Sequence, residues 1–259
     1  IYLERLLSDG PLSFDDLYAK CEAYRERLRP YVADTGALVR AAVRAGKRVL
    51  LEGAQGVMLD VDHGTYPFVT SSSVLAGSVG AGAGLPPRMI GRVIGLTKAY
   101  TTRVGAGPFP TELTDELGTR LREDGGEYGA TTGRPRRCGW FDAVVVRQAV
   151  ELCGIDGIAL TKIDVLTGID PLRLCVGYEI DGRRQDLPPA TRRGWERARP
   201  IYEDIPGWKE DLTAARALSD VPAAVRRYVD RLTELVGVPA VLVSVGAQRD
   251  QTITLGPVF

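Results

Sequence analysis

Short apolar runs alternate with longer stretches of helical period, and this alternation limits the fold more than any other feature of the chain. Gly157-Ile158-Ala159-Leu160 and Ala240-Val241-Leu242-Val243 have the length and character of buried strands. Further strands are predicted at Arg48-Val49-Leu50-Leu51 and within Met89–Tyr100, with a hairpin from Arg173–Ile180 into Arg183 turned by Asp181-Gly182. Between them, helical spacing predicts helices from Ser13 to about Pro30, Thr35 to Ala45, Leu113 to Glu123 and Phe141 to Leu152, the last closed by Gly154. Ser219 is expected to cap a last helix running to Val236. Parallel strands need crossovers, and the crossover helices cover both faces of the sheet. The expectation is one α/β domain over residues 1–259, with a largely parallel central sheet flanked by helices. The Pro-rich stretch Pro188–Pro206 reads as an ordered surface excursion.

Charge narrows the function. Lys+Arg and Asp+Glu both number 33, so the formal net charge is zero, which argues against general nucleic-acid or membrane-surface binding. Cys21, Cys138, Cys153 and Cys175 form no C-x-x-C pair. That spacing speaks against a zinc site or a disulfide framework and fits a reducing cytoplasm. No apolar run has the length of a membrane span.

Anion chemistry is instead local. Gly129-Ala130-Thr131-Thr132-Gly133-Arg134-Pro135-Arg136-Arg137 sets two hydroxyls and three guanidiniums between glycines. Arginine forks bind carboxylates and phosphates in a planar, bidentate way. At the end of a predicted strand, Thr161-Lys162-Ile163-Asp164 offers a carboxylate that can accept from guanine N1–H and its exocyclic amine. The Lys162 stem can lie along the purine while its charge stays solvated. Ser244-Val245-Gly246, after the last strand, can wall such a pocket or simply be a strand exit. Gln55 lies beyond the predicted strand 48–51, where an amide suits a nucleobase edge or satisfies a turn. His63, the single histidine, reads either as catalytic or as tying the Asp60–Asp62 turn together. Val69-Thr70-Ser71-Ser72-Ser73 and the glycine-rich run 77–84 lack the ending of a Walker A loop.

Taken in order, these segments resemble one family. Glu52-Gly53-Ala54-Gln55-Gly56, Asp62-His63-Gly64-Thr65-Tyr66-Pro67, Val69-Thr70-Ser71-Ser72, Lys98 through Leu113, Gly129 through Arg137, Thr161 through Leu166, Ser244-Val245-Gly246 and Arg249-Asp250-Gln251-Thr252 follow the pattern of adenylosuccinate synthetases over essentially the whole chain. The resemblance implies a ligase that makes adenylosuccinate from IMP and L-aspartate, driven by GTP with Mg²⁺, in purine biosynthesis. It implies a P-loop NTPase-like fold and a cytoplasmic homodimer.

Residue by residue, the resemblance gives Gln55, Thr70, Val104 and Arg134 to IMP, with Gln55 also in a supporting catalytic part. Ala130, Thr131, Thr132, Gly133, Arg134, Pro135 and Arg136 would take aspartate. Arg136, Lys162, Ile163, Asp164, Ser244, Val245 and Gly246 would take GTP. His63 receives no catalytic part. The family's phosphate loop, catalytic aspartate and histidine, Mg²⁺-binding carbonyl and cross-dimer arginine belong to an N-terminal part that this sequence does not match. Ile1 thus reads as an internal position of a longer enzyme, with no metal ligand here and no activity expected of these residues alone. Two other classes stand beside this reading: a non-catalytic guanine-nucleotide module, and nucleic-acid binding through Arg134–Arg137, which zero net charge opposes.

Overall fold

The computed structural model describes residues 13–129 and 133–258. The chain divides into two compact units, residues 1–49 with 83–85, and residues 50–82 with 86–259. In the first, α1 (Phe14–Leu28) starts where Ser13 Oγ accepts from Asp16 N at 3.3 Å, as the sequence predicts. Asp15 and Asp16 sit in its first turn and Arg25 and Arg27 in its last, both signs matching the helix dipole. α2 (Thr35–Arg44) is capped by Asp34, and Arg40 donates to the Gly84 carbonyl at 2.8 Å.

The larger unit carries the sheets. After α3 (Ala76–Ala83) come β1 (Ile94–Lys98) and β2 (Thr101–Arg103), then α4 (Glu116–Asp124), β3 (Arg137–Gly139), β4 (Phe141–Asp142) and α5 (Ala143–Cys153). β5 (Gly157–Thr161), β6 (Leu172–Ile180) and β7 (Arg183–Gln185) follow, then α6 (Arg192–Arg197), β8 (Arg199–Ile205), α7 (Ala223–Val236), β9 (Ala240–Ser244) and β10 (Thr252–Thr254). The central sheet has the order β1-β5-β9-β10, parallel except for β10. A second sheet is mixed: β6 runs parallel to β4 and antiparallel to β7 and β8, while β2 and β3 form a separate antiparallel pair. The α/β class holds, with parallel pairing confined mainly to the central sheet. Its core gathers Ile158, Leu160, Val243, Tyr228 and Leu232 with Trp208 and Phe141.

Three local expectations differ from the structure. Residues 48–51 form no strand; Leu50 is 77% exposed, and an apolar run without a ladder partner among the described residues has nothing to pair with. The last helix begins at Ala223 after Pro222, because a proline lacks the N–H a first turn leaves unused, while Ser219 lies in a preceding 3-10 turn. Pro188–Pro206 is more than an excursion, since it builds α6 and the strand β8. Pro200 is tolerated there because β8 is an edge strand.

Candidate functional site

Parallel pairing determines which turns meet. Lys98 lies opposite Thr161, and Leu160 opposite Val243, so the segments leaving β1, β5 and β9 emerge side by side at the carboxyl edge of the central sheet. Ligands of open α/β sheets bind at that edge.

The segment after β5 holds the sharpest signal. Lys162 takes a left-handed backbone (φ 61°), which turns the chain into a short 3-10 turn from Asp164 to Leu166. Asp164 Oδ1 is buried and has no hydrogen-bond partner, and burial raises the pKa of its carboxyl. An unpaired buried carboxylate oxygen is costly unless a ligand donor completes it. On the segment leaving the neighbouring strand β9, Ser244 Oγ donates to the Gly246 carbonyl at 2.8 Å, and Val245 N donates to Gln251 O at 2.8 Å. The Gln251 side chain supports the same wall, accepting from Gln248 N at 2.9 Å and donating to Thr213 O at 3.2 Å.

Within electrostatic range of Asp164 lies a cationic cluster centred on Glu127, whose side chain is fully buried. Its Oε2 accepts from Lys98 Nζ and Arg136 Nη1, both at 2.7 Å, and its Oε1 from Tyr100 Oη at 2.6 Å and Lys162 Nζ at 3.1 Å. Burial pushes the Glu127 carboxyl upward, but these donors outweigh it and hold the pKa at about 2. Burial also lowers the pKa of the Lys98 ammonium, against the pull of Glu127. Lys162 also donates to the Gly125 carbonyl. Its charge is held by Glu127 and a backbone oxygen while the side chain stays 34% exposed.

The arginine-rich loop is used unevenly. Gly133 N donates to Gly129 O and Gly129 N to Arg134 O, both at 2.8 Å, and Gly133, Arg134 and Pro135 are exposed. Ala130, Thr131 and Thr132 lie outside the described residues. Arg137 is a structural residue rather than an anion ligand. Its fork grips Glu112, its Nη1 donates to Gly105 O at 3.1 Å and Gly107 O at 2.9 Å, and its guanidinium lies over Phe109.

That grip shapes the turn bearing Val104, which is 47% exposed. Arg103 holds the other side of the turn, donating to Ala106 O at 3.1 Å, Thr65 Oγ1 at 2.9 Å and Phe68 O at 3.1 Å. Thr70 is half-buried, and its N–H donates to Leu59 O at 2.8 Å. Gln55, with φ 61°, is exposed on the way into the turn Val57–Leu59 and takes no part in the Glu127 cluster. The Asp60–Asp62 turn is tied by Asp60 and not by His63. The buried Asp60 carboxylate accepts from Asp62 N and His63 N at 3.0 Å and Val74 N at 2.8 Å, while the His63 residue is exposed. Burial opposes ionisation of Asp60, and those backbone donors outweigh it, so its pKa is lowered.

Sequence reasoning passed over Glu127, Tyr100 and Glu112. Each has a charged partner 25 or more residues away, so long-range contacts and not local spacing alone mark it, even though Glu127 also pairs with Arg136 nine residues on.

A parallel sheet whose carboxyl edge carries an unpaired buried carboxylate and an excess of cations defines an α/β protein with a site for anionic, hydrogen-bonding ligands. The family model for adenylosuccinate synthetase matches residues 2–253, and the chain belongs to that family. The adenylosuccinate synthetase of Pelobacter propionicus is 54% identical over 253 residues, covering 98% of this chain and 59% of the relative. That of Geobacter sulfurreducens is 51% identical over 259 residues, covering 60% of its length. The solved structure of fully ligated adenylosuccinate synthetase from Plasmodium falciparum superposes with a TM-score of 0.92 at 36% identity, over 98% of this chain and 61% of that one. The chain thus spans about three-fifths of the length of the relatives it matches.

Proposed function

We infer that the protein bearing these residues is a ligase of purine biosynthesis. It joins IMP and L-aspartate into adenylosuccinate at the expense of GTP, by way of a 6-phosphoryl-IMP. The observation that carries this reading is the unpaired buried oxygen of Asp164 after β5, on the same sheet edge as the Ser244–Gly246 exit of β9, a chemistry suited to the paired donors of guanine. The cations around Glu127 supply the neighbouring field for phosphate and carboxylate groups.

On this reading Lys162, Ile163 and Asp164 hold the guanine with Ser244, Val245 and Gly246, and Arg136 reaches the GTP phosphates and the aspartate. Ala130, Thr131, Thr132, Gly133, Arg134 and Pro135 form the aspartate loop. Gln55, Thr70, Val104 and Arg134 hold IMP, with Gln55 stabilising charge on the base as the 6-oxygen is phosphorylated and displaced by the aspartate amine.

Mg²⁺ would accompany the nucleotide and neutralise phosphate charge. The described residues do not fit a site for it: they contain no group of three or more His, Cys, Asp or Glu that could hold a metal, and Glu127 is saturated by donors. We read the whole protein as a cytoplasmic homodimer, as the resemblance implies; no helix among the described residues is long and apolar enough to cross a membrane.

The test is phosphate release and adenylosuccinate formation by the full-length protein. Both should require IMP, aspartate and GTP together, and release that ignores aspartate would overturn the assignment. The 259-residue piece alone is expected to be inactive, so turnover by that piece would show the catalytic set to lie within it.

A further inference from the structure

One buried carboxylate serves both halves of the proposed site. Glu127 gathers Lys98 from the end of β1, Tyr100 from the β1–β2 connection, Lys162 from the segment after β5 and Arg136 from the arginine-rich loop. Each of its oxygens takes two donors, so its acceptor capacity is full. It is therefore neither a general base nor a site for another ligand donor. Three cations share one anion, and the cluster keeps a formal excess of two positive charges.

We propose that Glu127 is a positioning residue that couples the arginine-rich loop to the guanine-reading segment, by holding Arg136 and Lys162 on one shared counter-ion. The proposal rests on the reading of these two elements as aspartate and guanine sites. Its physical basis is competition. A ligand carboxylate or phosphate that engages Arg136 draws that guanidinium from Glu127 Oε2. The carboxylate, fixed by Tyr100, then leans on Lys162 and Lys98. Lys162 leads directly into Asp164, so a firmer hold on its ammonium orders the turn that presents the unpaired oxygen. Occupancy of the loop should therefore favour guanine binding, and linkage makes the effect reciprocal.

The test is calorimetric titration of the full-length protein, saturated with IMP, with GDP in the absence and presence of saturating L-aspartate. In the unaltered protein, aspartate should tighten GDP binding about fivefold or more, the lower range of ordinary site-to-site coupling. Glu127→Gln removes the shared charge and should bring the factor below about twofold, with the affinity for IMP unchanged. Glu127→Asp keeps the charge but shortens the reach by one methylene, so it cannot meet all four donors and should also lose coupling. It decides the matter if the Gln variant fails to fold. Coupling at the unaltered level in a folded Glu127 variant, or a lower melting temperature alone, would overturn the proposal. So would the absence of coupling in the unaltered protein. Failure of the ligase assignment reads differently, as absent adenylosuccinate formation by a protein whose aspartate and GDP titrations still show, or lack, the coupling.

Discussion

Asp164 and Gln55 show how differently single residues can be tested. If Asp164 Oδ1 accepts from the guanine amine, Asp164→Asn should relax the preference for GTP over ITP, which lacks that amine. The expected change is about tenfold or more in the ratio of kcat/KM, since a site built to pair a polar group rejects the analogue lacking it. An unchanged ratio would place guanine elsewhere. Gln55→Ala should instead lower kcat more than it weakens GTP binding, and equal losses would make Gln55 a turn residue. The place of Lys162–Asp164 at a strand end could be read in the sequence because the apolar run of β5 directly precedes it. Glu127 could not, because its meaning comes from Lys98, Arg136 and Lys162, brought together by strand register and a turn. His63 and Arg137 show the opposite error, where a chemically able side chain stands out in the sequence but the work is done by Asp60, or the fork is already bound by Glu112.

At the scale of elements, strand and helix placement was legible wherever an apolar period had a partner to bury against. β5, β9 and α5 fall where the pattern sets them, and Gly154 closes α5 in a left-handed conformation (φ 60°). Residues 48–51 had the pattern but not the partner, and β8 was masked by its prolines. β3 depends on close backbone approach: a Cβ at Gly139 would meet the backbone of Thr111 and Glu112. Gly139→Ala should therefore destabilise the protein by about 2 kcal/mol or more, as overpacking against unyielding backbone does. A urea midpoint unchanged by that substitution would show that β3 can shift away. Arg137→Lys tests the neighbouring device. A lysine cannot grip Glu112 bidentately while also reaching Gly105 and Gly107, so the Val104 turn should loosen. The expected result is a higher KM for IMP with the KM for GTP little changed, and equal rises in both would refute this local role.

For the molecule as a whole, two buried carboxylates pull stability in opposite directions along the pH scale. Glu127 titrates at about 2 in the fold against a usual 4.5. A depressed carboxylate contributes stability that is fully present above pH 4.5 and lost as pH falls toward 2. Asp142 behaves in reverse. Burial pushes its pKa up from 3.8 to about 6, although Tyr178 Oη and the backbone N–H groups of Val144 and Val145 donate to it. The fold therefore favours its protonated form, and stability is greatest below 3.8 and declines as pH rises toward 6. Each displacement is worth about 3 kcal/mol, at ~1.4 kcal/mol per pH unit. The two terms overlap near pH 4, so urea midpoints should fall on the acid side from Glu127 and between about pH 4 and 6 from Asp142. Asp142→Asn cannot ionise, and its amide can still cap α5 through the oxygen. That variant should lose the decline between about pH 4 and 6 while keeping the acid limb. A variant whose midpoints still fall across that window would assign the decline to another group.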